Sequence, residues 1–466
     1  MKLSSRHNLR ALWLASAGKR YPWPVLCAKA DLLVVTGRRA EAIAIYRSSL
    51  PVLEACGDHH AIGQCLTDQG FALMLQGNFS EAEQLGQRTL ALGNDIGNPL
   101  ITTQALNLLG NIANHLGHFR DSAGHYQSAL DIGSPDGLPV DRCTLLKNLG
   151  VAHYELGDYS RAVDCQQQCL ALAEADGNLL AIGAVYLNLG IIRQRQCDFV
   201  GALGLFQRAL ATLARIGNKD LIRNVHNYLG IVHSRLGELD LAVSHYSDSL
   251  ALARETGDRN GLATVLNNLG NIHLDRGDYQ KAGGDFNECR RLFLGMGHEE
   301  GEAVASANLG EVLSELGEYT ESDRLYTLAV AYGRKQQAKY YLCHFLSGFA
   351  DLRARQDRDS EAHAMADEAL GLAQELNIPD VSFSCRLLLA RLQAKHDPPA
   401  AMSQLRQLRE ECREDEHRAL ACYWLFKHGR QEDDRVAALT LLRRIDRDPQ
   451  NLTIKRKLDE LQSLAG

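Results

Sequence analysis

The sequence predicts an all-α fold, a right-handed superhelical solenoid of antiparallel helix pairs with about ten repeats. Three observations predict it. Glycine recurs every forty residues in three columns, a column of small residues keeps the same register, and apolar residues between the glycines fall at helical spacing. The first column is Gly70, Gly110, Gly150, Gly190, Gly230, Gly270 and Gly310. The second runs from Gly37 through Gly77, Gly117 and Gly157 to Gly237, Gly277 and Gly317, broken by Cys197. The third holds Gly57, Gly97, Gly137, Gly177, Gly217, Gly257 and Gly297. Glycine at roughly 7% of positions in ordinary proteins does not align this way by chance.

Each column has a mechanical task. A glycine inside a helical pattern costs roughly 1 kcal/mol against alanine, so the first column implies a close approach by the second helix. The small residues twelve positions on, Ala82, Ser122, Ala162, Ala202, Ala242, Ala282 and Ser322, supply the partner surface. The second column ends the first helix with a left-handed cap, and Asn78, Asp158, Asp198, Glu238, Asp278 and Glu318 after it are placed to start the second. The third column ends the second helix. A lone hairpin cannot bury its apolar face, so neighbouring hairpins must stack.

In chain order, residues 1–20 are predicted as an opening helix. Lys2, Arg6 and Arg10 before ALWLASAG have the outline of a secretory leader, but the apolar part is at the short limit, and Leu9, Leu12 and Leu14 suit a helix that starts the fold. Residues 21–57 form a degenerate repeat that keeps Gly37, Ala42, Tyr46 and Leu50. Seven regular forty-residue repeats fill 58–337. At 338–377 Ala350 and Asp357 replace two glycines, and 378–446 holds one or two irregular hairpins, with DPPA shortening a turn and Tyr423, Trp424 and Phe426 expected to fill a core. Residues 447–466 read as an amphipathic capping helix.

The pattern resembles the tetratricopeptide repeat. The forty-residue period and motifs such as NNLGNIHLDRGDYQKA (267–282) are most similar to the long-helix repeats of Pins/LGN-type scaffolds and of bacterial signalling proteins. The C-terminal layout is similar to repeat regions that close bacterial STAND-type signalling ATPases.

Composition narrows the function. With 45% hydrophobic and 23% charged residues and only ten prolines the chain is a folded, soluble type. A net charge of −7 gives no global pull toward nucleic acid or anionic membranes, and no apolar run has the roughly 18 residues a membrane helix needs. Twelve cysteines without a CxxC pair read as reduced thiols of a cytoplasmic protein, with Cys165 and Cys169 as small core residues on one helical face. There is no phosphate-binding loop, no HExxH and no GxSxG. His153, His233 and His273 share one repeat column and read as packing residues, so neither a catalytic site, a metal nor a cofactor is expected.

What is left is the face not used for stacking. The resemblance implies that the groove positions lie three residues before the first glycine and one, four and five after it. They give Phe71; Asn107, Asn111 and Asn114; Lys147; Arg195; Asn227 and Arg235; and Asn267 and Asn271 as peptide-binding residues. Carboxamides both donate and accept, which suits a peptide backbone, and similar asparagines hold peptides in Pins/LGN-type and kinesin-light-chain-type repeats. Asn148, Asn188, Asn268 and Asn308 are expected to bridge repeats. The groove turns from apolar at Phe71, through basic at Lys147, Arg195 and Arg235, to acidic at Asp275, Glu311 and Glu315. The expected function is a non-catalytic scaffold binding extended peptide segments of partner proteins. The alternative is a sensor module that changes shape on binding a peptide or small ligand. End hairpins could also pair two copies of the chain.

Overall fold

The computed structural model describes residues 23–132, 142–446 and 451–464. Among them there are 23 helices and no strand. The predicted opening helix at 1–20, Gly137 and residues 447–450 lie outside the described residues.

The chain divides into two compact units, Met1–Gly217 and Asn218–Gly466. In the first, α1 (Trp23–Val35), α2 (Arg39–Cys56), α3 (His59–Gln76), α4 (Phe79–Asp95), α5 (Pro99–His115), α6 (Phe119–Asp131), α7 (Arg142–Glu155), α8 (Tyr159–Ala175), α9 (Leu179–Arg195) and α10 (Phe199–Ala214) follow one another. The second begins with α11 (Lys219–Arg235), α12 (Leu239–Thr256), α13 (Arg259–Asp275), α14 (Tyr279–Met296), α15 (Glu299–Glu315) and α16 (Tyr319–Lys335). It continues with α17 (Lys339–Arg355), α18 (Asp359–Glu375), α19 (Pro379–Gln393), α20 (Pro398–Glu411), α21 (Asp415–Gly429), α22 (Glu432–Ile445) and α23 (Leu452–Ser463). Within each unit every helix packs on its predecessor, as expected where turns are too short to let helices separate.

The turns show why the register holds. Gly77 ends α3 at φ 88°, and the Asn78 side chain then accepts from the Glu81 amide to start α4. Where the column breaks, Cys197 takes the same left-handed conformation at φ 60°, and Asp357 does so at φ 56°. The helix-pair geometry therefore imposes the turn even on a side chain that it strains, at a cost of order 1 kcal/mol. Glu238 and Glu318, expected to cap, make no side-chain cap bond. Glutamate is one methylene too long for that short reach, and Glu238 instead meets His233 Nδ1 at 2.6 Å.

The first glycine column admits an aromatic ring more directly than a small residue. A β-carbon on Gly110 or Gly230 would stand 2.6 Å from Tyr126 or Tyr246, sixteen residues on. The predicted small column lies behind: the Ala162 carbonyl would be 3.3 Å from a Gly150 β-carbon, and Ser122 Oγ donates to the Gly110 carbonyl at 2.9 Å. Ring and small residue together make the seam at Gly110, Gly190, Gly230, Gly270 and Gly310, while Gln166 takes the ring's place at Gly150 and Leu108 lies against Gly70.

The cores lie between successive helices. Tyr46, Leu66, Leu73, Leu108 and Ile112 form one in the first unit. In the second, Tyr326, Phe345, Leu346 and Phe349 form another, and Tyr423, Phe426, Leu439, Leu442, Leu458 and Leu461 form a third. One expectation about cysteine is corrected: Cys143 on α7 and Cys169 on α8 are joined as a disulfide, their Cα atoms 4.6 Å apart. The 26-residue separation gave no sign of this, because antiparallel packing of the two helices makes the encounter. Cys165 is a buried core residue.

Candidate peptide-binding faces

In the first unit, α5 carries Asn107, Asn111 and Asn114. Asn148 on α7 directs its amide at both Asn107 Oδ1 and Asn111 Oδ1, each 3.4 Å away. Asn111 Oδ1 also accepts from Tyr126 Oη at 2.6 Å. The Asn114 side-chain Oδ1 is buried and has no hydrogen-bond partner among the described residues. One repeat on, Asn188 reaches Gln166 Oε1 at 3.4 Å, because position 147 holds lysine and offers no acceptor. Lys147 itself is half-buried, and its carbonyl accepts from Gln166. Phe71 is half-buried against the first core.

Arg195 is fixed across repeats. Its Nε donates to Tyr154 Oη at 2.7 Å, and its guanidinium carbon lies 6.0 Å from the Tyr154 ring centroid. The side chain nonetheless stays exposed, with the Glu155 charge acting on it from nearby.

In the second unit the asparagine arrangement repeats with better geometry. Asn268 Nδ2 donates to Asn227 Oδ1 and Asn308 Nδ2 to Asn267 Oδ1, both at 3.0 Å. The two asparagine sets, one read as bridging and the other as groove-lining, are each other's partners. Adjacent positions on one helix meet the neighbouring helix in a register that forty-residue columns do not reveal. Asn271 and Arg235 are exposed.

The acidic positions form a cluster that holds bases of its own. Arg355 pairs with Glu315 and, at 2.7 Å, with Asp351, which Arg391 also meets at 3.1 Å. Crowding by protein and the charges of Asp351, Asp275 and Glu315 push the Glu311 carboxyl up to about 7. Arg355 and Asp351 fall at groove positions of the repeat, but their pairing, and the arrival of Arg391, are not legible in the sequence, since charge alternation along a helix does not tell which turns of different helices meet.

Among the described residues, three groups bring metal-competent atoms within 4.8 Å of one another: His226, His245 and Asp248; Cys27, Asp31 and Asp68; and Asp380, Glu414 and His417. Their atoms also serve one another, with His226 Nδ1 3.1 Å from His245 Nδ1 and Asp31 accepting from Tyr46 Oη at 2.9 Å.

The tetratricopeptide-repeat family model matches residues 101–175, 181–255, 221–295 and 261–335. This chain is a tetratricopeptide-repeat protein. A model of anaphase-promoting complex subunit 5 matches residues 315–383. No curated protein matches the sequence. Among solved structures, the apo form of RapI is 14% identical with a TM-score of 0.47, covering 59% of this chain and 98% of its own. A Rap protein complexed with competence and sporulation factor is 14% identical with a TM-score of 0.46, covering 73% and 99%. Yeast Tom70 is 14% identical with a TM-score of 0.36, covering 95% of both chains. No helix among the described residues of this tetratricopeptide-repeat protein is long and apolar enough to cross a membrane.

Proposed function

We propose that the protein is a non-catalytic interaction scaffold whose first-helix faces grip extended segments of partner proteins. The observation that carries this reading is the asparagine ladder. Asn227 and Asn267 have their carbonyl oxygens engaged by the following repeat, which holds each carboxamide in one orientation and leaves its Nδ2 donors for an outside acceptor. An ordered amide loses little entropy when it meets a peptide carbonyl. Arg195, held by Tyr154, adds a preorganised charge that selects an acidic segment and fixes its direction. Asn111, Asn114, Lys147 and Phe71 extend the face in the first unit, with Asn107 buried beneath it, and Arg235 and Asn271 extend it in the second.

The test is fluorescence anisotropy with a labelled peptide that is apolar at one end and acidic in its middle. Charge reversal Arg195→Glu on the first unit should weaken binding at least tenfold and flatten its salt dependence, and Arg235→Glu on the second unit's own face is measured separately. Unchanged affinity counts against the reading.

A further inference from the structure

Helices α11 and α12 bring two imidazoles and a carboxylate to one point. His226 stands on α11, and His245 and Asp248 on α12, where a spacing of three residues puts them on one face. His226 Nδ1 lies 3.1 Å from His245 Nδ1 and 3.5 Å from Asp248 Oδ2, and the three ligand atoms all fall within 4.8 Å of one another. In a tetrahedral site with bonds of about 2.05 Å, neighbouring donors stand about 3.3 Å apart. The two distances from His226 bracket that edge, so these donors already stand at the spacing an ion requires.

The repeat pattern sets this helix pair apart from the others. The column of His226 holds Leu66, Leu106, Leu146 and Leu266, each buried, so apolar packing at this position needs no imidazole. His125 shares the column of His245, but its own repeat offers Leu106 and Ser128 in the columns of His226 and Asp248. The repeat at 218–257 is the one whose sequence unites the three donors. Facing through Nδ1, the two rings satisfy each other only in opposite tautomers, whereas an ion takes the lone pair of both in the same one.

A second layer orients the first. His233 stacks on His245 with ring centroids 5.2 Å apart and planes 15° apart, and its own Nδ1 meets Glu238 Oε2 at 2.6 Å. Held by that acid, His233 fixes the plane of the His245 ring. The His226 side chain is 15% exposed and that of Asp248 57%, so the cluster opens to solvent on its carboxylate side and an ion can enter without unfolding the pair.

We propose that His226, His245 and Asp248 form a binding site for one divalent late-transition ion of the zinc class, with water in the fourth position. Two nitrogens and one oxygen suit such an ion, whereas magnesium and calcium take oxygen shells. The bound ion ties α11 to α12 and so stabilises the first helix pair of the second unit. The site is independent of the reading of the peptide-binding faces.

The test uses the full chain, freed of metal with a chelator and titrated with zinc chloride by calorimetry, while circular dichroism follows its thermal midpoint. Zinc should bind with one equivalent that His226→Leu removes, and the rise in midpoint that zinc produces should vanish with it. Leucine is what the array itself uses in that column, so this variant removes the ligand while keeping the packing. Asp248→Asn, at an exposed side chain that the fold does not need, should weaken the same equivalent at least tenfold. Cobalt in place of zinc should give d–d bands that His226→Leu abolishes, without the thiolate charge-transfer band that binding at a cysteine would add. Magnesium should leave the midpoint unchanged. Equal zinc uptake and midpoint rise in the unmodified chain and His226→Leu, undiminished affinity in Asp248→Asn, a magnesium effect as large as that of zinc, or cobalt binding through thiolate alone each overturns the proposal and leaves a packed histidine pair only.

Discussion

A β-carbon on Gly270 would stand 2.6 Å from the Phe286 ring, inside a contact that packed atoms do not tolerate. The ring is fully buried, so it cannot swing into solvent. Gly270→Ala should accordingly destabilise the second unit by about 1–3 kcal/mol, the usual cost of overpacking. Gly284, on α14 with nothing within 4 Å of its missing β-carbon, is the control: Gly284→Ala should be neutral or stabilise by up to about 1 kcal/mol. Urea unfolding followed by circular dichroism measures both.

The turn at Cys197 offers the opposite sign. A cysteine at φ 60° occupies a position that glycine fills in the other regular repeats. Cys197→Gly removes the strain and should stabilise the first unit by up to about 1 kcal/mol after the larger chain entropy of unfolded glycine is subtracted. A rise in the thermal midpoint without a change in the helical spectrum is the expected result.

The asparagine ladder has a measurable stability share. Asn268→Ala removes the donor to Asn227 Oδ1 and should cost about 0.5–1.5 kcal/mol, the net worth of one such bond. It should also weaken the acidic peptide, because the Asn227 carboxamide loses its orientation. A loss of stability with undiminished peptide affinity would separate the structural task of the ladder from the binding task.

Acid should loosen the second unit through its histidines. His226 and His245 meet at 3.1 Å and the His233 ring stacks on His245, while Asp248 and Glu238 stand beside them. Burial holds both imidazoles of the pair below their ordinary value of 6.5, and for His245 the charges of His226 and His233 add to the depression. The unfolded chain therefore takes up protons near pH 6.5 that the folded pair refuses, so the histidines' share of the stability should fall as pH drops below that value, opposed by Glu311, whose raised carboxyl binds its proton more readily in the folded chain. His245→Gln should flatten the dependence of the urea midpoint between pH 7 and 5.5.

The all-helical plan could be read from glycine spacing because a fixed period is a one-dimensional property of the chain. Gly77, Gly117 and Gly277 end helices, as their column requires. The contacts that decide the candidate sites are of another kind. Asn268 with Asn227, Arg195 with Tyr154 and Arg391 with Asp351 each join neighbouring helices at a relative rotation that the period leaves open. The seat of α23, whose Leu452 amide donates to the Arg276 carbonyl at 2.7 Å, was out of reach for a similar reason: an amphipathic helix says only that one side wants cover, and not where along the array that cover is found. The disulfide of Cys143 with Cys169 escaped notice because it needs two helices side by side, which a spacing pattern tuned to local motifs does not register.

The ladder bonds Asn268 to Asn227 and Asn308 to Asn267 both span 41 residues, one period plus one. A duplication of whole forty-residue periods inside this stretch would rebuild the same amide contact at the new junction, whereas an insertion of any length that is not a multiple of forty would sever it. Growth of the array by whole modules is thereby the cheapest genetic change that keeps its amide spine continuous.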